Sequence, residues 1–548
     1  MSKKLGIAGL ILVLSLLLAL GVTALSAGHE ELADEQVLTF ATEGRDIATM
    51  DPHFATAFPE YALVEALFNG LVRFPPGESV NMEDIEPDLA TDWESTKDAT
   101  VWTFHLREGV NWHRDYGTVT AEDVKFSIER VMDPEVGSPW KGSFSEVEDV
   151  EAVDELTVRI TLSQPDPFFL LKVVNYHGGY IVPKEAVEEL GDDFGTEPVG
   201  SGPFAFEEYQ PRDKVILTAN ENYFRGAPTL EEIDYRFMPD DSSRELALRT
   251  GEIDAGDFPN IQRWAEDLKD QDLIVDLMGP GNMYHLHFNM SEEPFDNYKV
   301  RQALAYAFDR DEIVEFRGPA VSRKTYSMVP PGYFAHTSEV KKYEYDLEKA
   351  QQLLEEAGYP DGFSFEISIS ESDSYQPYAV QAQAMWEKIG VDMELEVVDH
   401  SSYHSLIRDD ANKVVFYNAS RLPLADVYLR QWLHSDSIVT KSTAVTNFSH
   451  YGEVDATGDG ENDSIDELID EAAGSTDLDH QIELYTEAQK QVAEHVPAFS
   501  YVQETSVFAR DPSISLPYGE EDQEGYSHFQ NMWAGYIFNE NTKIVETD

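Results

Sequence analysis

The 548-residue sequence contains no cysteine. Disulfides, thiolate metal ligands, cysteine nucleophiles and a lipid anchor attached to a cysteine are therefore all excluded. Basic residues are also scarce, since 39 Lys and Arg stand against 104 Asp and Glu, which gives a formal net charge of -65. A surface of this sign repels nucleic acid and anionic lipid head groups, so neither is an expected partner.

The acidic surplus is spread along the whole chain and is not confined to a tail. Concentrated salt screens the self-repulsion of such a surface, with a Debye length of about 3 Å at 1 M. The distribution therefore favours bulk solvation of a protein that works in high salt, and it argues against a charge-selective function of the surface as a whole.

The sequence also lacks the short motifs of common enzymes. It contains no nucleophile elbow, phosphate-binding loop, HExxH helix or GxGxxG turn. His285 and His287 share one face of a predicted strand, a spacing compatible with a metal ion. Two histidines alone are more commonly packing or hydrogen-bonded residues. We therefore expect a protein without catalytic activity, with a secreted hydrolase as the alternative.

Long hydrophobic runs are absent beyond the N-terminal segment. Lys3 and Lys4 precede an almost unbroken apolar run from Leu5 to Val22, and small residues follow at 24–27. This order is typical of a secretory signal peptide, so we expect residues 1–27 to be removed and the mature chain to be periplasmic or extracellular. An uncleaved anchor is the alternative, because about 18 to 20 apolar residues span a bilayer.

The rest of the chain alternates short strands with helices, which indicates mixed α/β lobes. Val101 to Leu106 alternates with period two and predicts a strand, and Thr120 is a predicted N-cap for a helix through Val131. The chain is too long for one simple core, so two or three lobes are expected. No repeat or low-complexity linker separates them, which predicts that the chain crosses between lobes more than once.

Ordered blocks of residues along the chain resemble one protein family. The blocks are Met50–His53 with Leu67–Val72, Pro87–Ala90 with Trp93 and Trp102–Val110, Thr118–Ser127, Val199–Phe204 with Asn220–Pro228, Pro294–Asp296 with Val300–Leu304 and Asp309–Arg310, and Tyr345–Asp346 with Ala357–Gly362. In this order they resemble the bacterial extracellular solute-binding proteins of family 5, which include dipeptide-, oligopeptide- and nickel-binding proteins of ABC importers.

The resemblance implies an α/β, periplasmic-binding-protein-like type II fold, in which two lobes joined by a hinge carry an inserted extra domain. The implied boundaries are residues 28–65, 198–280 and 515–548 for lobe I, residues 66–197 for inserted domain II, and residues 281–514 for lobe III. The implied function is capture of a small solute, by default a dipeptide or oligopeptide, and its delivery to the permease subunits of an ABC importer. Such a protein is expected to be a monomer that closes around its ligand.

The resemblance also implies where the solute binds. Peptide-binding members pair the ammonium group of the peptide with an aspartate in a loop that corresponds here to residues 416–423. With the register set by residues 426–429, Asn418 stands where the family usually has Trp, and Arg421 stands where it has Asp. The planar fork of an arginine suits a carboxylate or phosphate, which favours an anionic or sugar-like solute. The alternative is a shifted loop in which Arg421 is a surface residue bonded to an acidic neighbour.

The remaining ligand-binding candidates come from the same correspondence. The full set is Phe58, Trp140, Tyr284, Phe416, Tyr417, Asn418, Ser420 and Arg421. Trp140 falls where oligopeptide-binding members place an aromatic ring against the ligand backbone. For each aromatic residue, ordinary core packing is the competing interpretation.

An acidic loop from Asp455 to Asp463 resembles the start of a calcium-binding loop, with oxygen atoms at alternate positions and a glycine for the turn. The candidate ligands are Asp455, Thr457, Asp459 and Asp466, of which Thr457 and Asp466 depart from the usual residue types. A solvated acidic loop is the alternative, and no other cofactor is expected.

Overall fold

The computed structural model describes residues 31–77, 82–439, 441, 446–523, 525–529 and 537–547. The predicted signal peptide, and the anchor that is its alternative, fall outside these residues. Every helix in the described part of the chain is too short or too polar to cross a membrane.

Strands and helices alternate along the described chain. The strands are β1 (Val37–Thr42), β2 (Val72–Arg73), β3 (Glu86–Pro87), β4 (Ala90–Ser95), β5 (Val101–Leu106), β6 (Val147–Asp154), β7 (Thr157–Leu162), β8 (Phe204–Gln210), β9 (Lys214–Ala219), β10 (Glu232–Phe237), β11 (Ala255–Phe258), β12 (Ile274–Phe288), β13 (Ser322–Lys324), β14 (Phe363–Ser370), β15 (Val391–Val398), β16 (Val414–Ala419), β17 (Ala498–Arg510), β18 (Ile514–Ser515), β19 (Glu520–Glu521), β20 (Ser527–Phe529) and β21 (Lys543–Ile544). The α-helices are α1 (Phe58–Leu67), α2 (Ala121–Met132), α3 (Lys184–Leu190), α4 (Asp241–Thr250), α5 (Gln262–Lys269), α6 (Tyr298–Tyr306), α7 (Arg310–Arg317), α8 (Leu347–Glu356), α9 (Gln376–Glu387), α10 (His400–Arg408), α11 (Ala425–Leu433), α12 (Asp466–Ala473) and α13 (Leu478–His495).

Local sequence chemistry explains where several of these elements begin. Helix α2 starts after Thr120 because the Asp123 carboxylate accepts a 2.9 Å hydrogen bond from the backbone N–H of Thr120, which completes a capping box. Helix α6 starts after Asn297, whose side chain accepts from the backbone N–H of Lys299. Helix α4 ends at Gly251, which takes the left-handed conformation with φ 70°.

The largest sheet has eleven strands in the order β19-β20-β12-β17-β11-β1-β10-β9-β8, with β13 paired to β17 and β16 paired to β12. Its two longest strands, β12 and β17, are antiparallel partners from Ile274 opposite Arg510 to His287 opposite Ala498. The register of this pair shifts between Met278 and Asn282. We call these two strands the crossing strands, because they run between the residues of the two hydrophobic clusters described next.

Two large hydrophobic clusters lie on either side of this crossing. The near cluster is formed mainly by residues between 38 and 237, and the far cluster is formed by residues between 283 and 502. The near side also holds a separate four-stranded sheet in the order β4-β5-β7-β6, against which α2 packs. We call the two halves the near lobe and the far lobe. The mixed α/β architecture is as predicted, and the exact domain boundaries stay a prediction.

A buried ion pair lies where the chain crosses between the lobes. Glu504 on β17 is 1% exposed, and its Oε1 atom lies 3.0 Å from Nε of Arg317 at the end of α7. Burial raises the pKa of the Glu504 carboxyl to about 7, although the Arg317 charge opposes the rise. The folded state therefore favours the protonated carboxyl more than the unfolded chain does.

The Glu504→Gln variant is expected to change how stability depends on pH. The carboxyl pKa rises from an ordinary value of 4.5 to about 7 on folding, so its contribution to stability is complete below pH 4.5 and is lost as pH rises through 7. The loss amounts to about 3 kcal/mol. Urea unfolding at constant salt measures the free energy of unfolding at each pH. Between pH 4.5 and pH 8 it should fall more steeply for the wild type than for the variant. Equal slopes for the two proteins would contradict a raised pKa at Glu504.

Candidate functional site

The near wall of the cleft between the lobes is anchored on Asp51 and His53. The Arg130 guanidinium on α2 donates to Asp51 Oδ2 over 2.6 Å. His53 Nε2 lies 2.9 Å from the carbonyl oxygen of Tyr180, and the Ser138 hydroxyl donates to the His53 carbonyl over 2.7 Å. These bonds bring the turn that carries Trp140 next to the loop that ends at Tyr180.

Four aromatic side chains meet on this wall. The Trp140 and His177 rings stack with centroids 3.8 Å apart and planes inclined by 6°. The Tyr61 ring lies 4.8 Å from that of His177, and the Tyr176 ring lies 3.4 Å from it. We call Tyr61, Trp140, Tyr176 and His177 the aromatic wall. The buried Nε1 atom of Trp140 has no hydrogen-bond partner among the described residues.

Two glycines allow the aromatic wall to pack this closely. A Cβ atom on Gly178 would lie 3.0 Å from Cβ of Trp140, and one on Gly179 would lie 2.3 Å from the carbonyl oxygen of Val174. His177 itself has φ 48°, in the left-handed region that costs a residue with a Cβ atom about 1–2 kcal/mol. The surrounding structure therefore maintains an unfavourable backbone conformation at His177.

The far wall of the cleft carries Arg421, two residues after β16. Its Nε atom donates to Oε1 of Gln431 over 2.7 Å, and its Nη1 atom donates to the carbonyl of Ser420 over 2.9 Å. Its backbone N–H donates to the hydroxyl of Tyr428 over 2.9 Å. Arg421 is partly buried, and no carboxylate of the described chain lies within 4.0 Å of its guanidinium. The acidic neighbour of the shifted-loop interpretation is thus not found in the described chain.

The pKa of Arg421 is influenced by tyrosines of both lobes. Burial opposes this charge, but the surrounding tyrosines Tyr417, Tyr176 and Tyr428 outweigh burial and raise the pKa of Arg421 above its ordinary value. Tyr176 belongs to the near lobe, so the influence spans the cleft. Arg421 is therefore positively charged at every physiological pH.

Two histidines close to Arg421 are neutral. Burial first, and the Arg421 charge second, lower the pKa of His177 well below its ordinary value. Burial, His287 and then Arg421 lower the pKa of His285 in the same way. Both imidazoles therefore stay uncharged at neutral pH and do not add to the positive charge of Arg421.

The structure gathers several of the predicted residues around Arg421. Tyr417 is 8% exposed and is the first of the tyrosines that raise the pKa of Arg421, and Ser420 supplies the carbonyl that Arg421 contacts. Trp140 lies on the opposite wall, stacked on His177. Asn418 borders the group, with its Nδ2 atom 3.4 Å from the carbonyl of Ser374.

Three predicted residues lie elsewhere. Tyr284 is 2% exposed, with its ring 4.9 Å from that of Tyr378, and Phe416 is 1% exposed inside the far cluster. Both side chains therefore fit the competing interpretation, which is ordinary core packing. Phe58, at the start of α1, packs its ring 5.4 Å from that of Phe508 on the crossing strand β17. Their assignment as ligand contacts stays a prediction.

The lobes touch each other beside this group. The Phe168 ring of the near lobe lies 4.8 Å from the Phe334 ring of the far lobe. Leu424, three residues after Arg421, is 7% exposed because it packs into the near cluster. The structure therefore represents a form in which the two walls face each other closely.

Sequence reasoning missed Tyr176, His177 and Tyr375. Tyr375 is 5% exposed, and its pKa is raised by burial and then by Tyr417, while Arg421 opposes the rise. The paired glycines after His177 were the available signal for a tightly packed turn. His285, considered for a metal, instead places Nδ1 3.0 Å from Nε2 of His287.

The acidic loop uses its carboxylates to shape its own backbone. Asp455 accepts hydrogen bonds from backbone N–H groups that include that of Gly460, at 2.7 Å. Asp466, the expected last ligand, accepts from the backbone N–H of Ser435 at 3.0 Å. Within the described residues, no three His, Cys, Asp or Glu side chains are grouped so as to hold a metal ion. Calcium binding at Asp455, Thr457, Asp459 and Asp466 stays a prediction.

Comparison with known proteins finds one family throughout. The profile described as bacterial extracellular solute-binding proteins, family 5 Middle, matches residues 84–440. Heme-binding protein A of Haemophilus influenzae is 30% identical over 466 residues, which cover 79% of this chain and 81% of that protein. The dipeptide-binding protein of Escherichia coli is 27% identical over 554 residues, which cover 94% and 98%.

Solved structures give the same result. MoaA from A. tumefacien R10, in complex with mannopinic acid, is 37% identical with a TM-score of 0.83, over 93% of this chain and 100% of that one. DppA from Helicobacter pylori, in complex with the peptide STSA, is 28% identical with a TM-score of 0.79, over 94% and 99%. The likeness therefore covers both lobes and the crossing strands.

Proposed function

The chain belongs to the bacterial extracellular solute-binding proteins of family 5, and on this basis we propose that its solute is an anion whose carboxylate binds Arg421. The predicted type II fold with two lobes is confirmed, as is the general function. The protein is the solute-binding component of an ABC importer, which captures a small solute between its lobes and presents it to the membrane permease.

One observation carries the proposal for the solute. Arg421 is a partly buried cation in the cleft, and its side chain donates to a neutral amide and a backbone carbonyl, with no carboxylate of the described chain within 4.0 Å. A charge removed from water without a counter-ion is costly. A solute carboxylate supplies that counter-ion and fits the guanidinium fork through two parallel hydrogen bonds.

The rest of the solute faces the aromatic wall. Trp140 and His177 present flat rings there, and the buried Trp140 Nε1 can donate one hydrogen bond. Rings of this kind suit a sugar-like or amino-acid-derived body. The proposed class is therefore a small carboxylic acid of the opine type. The structures similar to this chain include MoaA with mannopinic acid and AgaA with agropinic acid.

A peptide is the second candidate, because the relatives include dipeptide-binding proteins and DppA was solved with a peptide. A peptide also carries a carboxylate, but its ammonium group would lack the aspartate that stands at the position of Arg421 in peptide-binding members. The two candidates therefore differ in whether a free amino group contributes to binding.

The finer details of location and assembly are part of the same proposal. We infer that residues 1–27 export the chain and are removed, and that the mature protein works as a monomer in the periplasm or outside the cell. We expect it to catalyse no reaction, and it cannot carry a lipid anchor attached to a cysteine, because the sequence has none. The net charge of -65 supports work in concentrated salt.

Paired probes in a thermal-shift screen at high salt test the proposed solute class. Mannopinic acid, agropinic acid and gluconate should raise the melting temperature, whereas glucose should not. A dipeptide and its C-terminal amide form a second pair, and only the free carboxylate should bind. Amidated and free peptides that stabilise the protein equally would contradict the proposal.

A further inference from the structure

Apolar side chains of the far lobe pack against the near lobe directly after Arg421. Leu424 is 7% exposed and belongs to the near cluster, and Leu422 and Val427 are partly buried against the same cluster. We call residues 421–427 the arginine segment. The segment that carries the cation of the far wall therefore takes part in the packing of the opposite lobe.

Phe334 connects the arginine segment with the near lobe. Its backbone N–H donates to the carbonyl of Pro423 over 3.0 Å, and its carbonyl accepts from the backbone N–H of Ala425 over 3.1 Å. Its side chain is partly buried against both the near cluster and the far cluster. Its ring lies 4.8 Å from that of Phe168 in the near lobe. The position of the arginine segment is thus linked to that of Phe168 by direct contacts.

Phe168 is carried by an ion-paired turn of the near lobe. Its backbone N–H donates to Oδ1 of Asp166 over 2.9 Å, and Oδ2 of Asp166 lies 2.8 Å from Nζ of Lys172. The same Nζ atom lies 2.8 Å from Oε2 of Glu146. The Phe168 side chain is 7% exposed. The near lobe therefore fixes the backbone from which the Phe168 ring meets the far lobe.

We propose that Phe168, Phe334 and Leu424 form a latch that holds the two lobes together before solute binds, and that Phe168 is the residue that positions the arginine segment across the cleft. The contacts of the latch join protein side chains to each other, so they stabilise the closed form both with and without solute. The inference goes beyond the proposed function, because it holds for a solute of any chemical class.

The latch has a kinetic consequence that general damage to the fold does not share. Solute enters and leaves while the lobes are apart, so a latch that acts on the empty and the loaded protein slows both association and release. An aromatic pair with its buried area shifts the equilibrium between the open and closed forms by about tenfold. Loss of the latch should therefore raise both rates, whereas a damaged site would associate more slowly.

The test compares Phe168→Ala with Phe126→Ala. Phe126 on α2 is a partly buried phenylalanine of the same lobe, packed against the near cluster with Nζ of Lys184 5.9 Å from its ring. Phe168→Leu keeps an apolar contact and should restore most of the wild-type behaviour. Small-angle X-ray scattering of the solute-free proteins measures the separation of the lobes, and stopped-flow fluorescence with mannopinic acid measures the two rates.

Without solute, Phe168→Ala is expected to have a larger radius of gyration than the wild type. With mannopinic acid it should release about tenfold faster and associate faster as well, although by a smaller factor. Phe126→Ala should match the wild type in all three measurements. An unchanged radius of gyration in Phe168→Ala would overturn the latch, and so would release no faster than that of the wild type.

The scattering comparison needs no ligand, so it is separate from the test of the proposed solute. If mannopinic acid does not bind the wild type, the proposed solute class fails, and the radius of gyration alone decides on the latch. Phe334→Ala removes the other ring of the pair and gives the same comparison if Phe168→Ala does not fold.

Discussion

Replacing Arg421 with glutamine is expected to weaken binding of a carboxylate solute by about a hundredfold or more. The glutamine side chain can still hydrogen-bond to Gln431, but it lacks the positive charge that the solute carboxylate neutralises. Truncating one partner of a desolvated charge pair costs about 2–5 kcal/mol, most of it through faster dissociation. Calorimetric titration with mannopinic acid measures the change.

A variant with the opposite charge at position 421 tests the same role of the Arg421 charge. Arg421→Asp introduces the residue that the family resemblance places here in peptide-binding members, so it should lose the acid and gain affinity for ligands with a free ammonium group. Arg263→Gln is the control, since Arg263 is 81% exposed and pairs only weakly with Asp267 at 3.9 Å. Equal effects of Arg421→Gln and Arg263→Gln would show that the charge of Arg421 has no special role.

Replacing Gly281 with alanine is expected to lower the free energy of unfolding by about 2–5 kcal/mol. Gly281 has φ 69°, and a Cβ atom there would lie 1.7 Å from the carbonyl oxygen of Glu504 on the partner strand. The left-handed backbone costs alanine about 1–2 kcal/mol, and overpacking adds about 1–3 kcal/mol. Because the contact is between two backbones at the crossing, the strands must separate to relieve it.

Gly279 offers a matched control two residues away on the same strand. The nearest atom to a Cβ on Gly279 is the carbonyl oxygen of Phe529 at 3.6 Å, an ordinary contact. Gly279→Ala should therefore change the free energy of unfolding by less than about 1 kcal/mol. Urea unfolding of both variants measures the difference, and similar losses would show that the close approach at Gly281 does not limit stability.

Much of the fold follows from local sequence chemistry. The strand at 101–106 and the helix after Thr120 lie where the sequence predicts them, because alternation and capping are properties of neighbouring residues. The full length of β12 does not follow from local sequence chemistry. Gly and Pro weaken or interrupt a strand, yet β12 runs from Ile274 to Phe288 through Gly279-Pro280-Gly281. Its pairing with β17 carries the strand through these residues.

The candidate site follows less directly from the sequence. The register of the family motif singled out Arg421, and the structure surrounds it with Tyr417 and Ser420. Tyr176 and His177, however, come from a loop of the other lobe, and no local pattern shows that two distant segments meet. Tyr284 illustrates the reverse case, because the family resemblance gave it as a ligand contact but its side chain points into the far cluster. Which residues meet across a cleft is decided by packing of the lobes.

A crystal structure of the protein with mannopinic acid bound tests the central claim most directly. We expect the acid between the lobes, with two carboxylate oxygens about 2.7–2.9 Å from nitrogen atoms of the Arg421 guanidinium. A bound acid whose carboxylate contacts another part of the chain, with Arg421 still bonded only to Gln431 and Ser420, would contradict it.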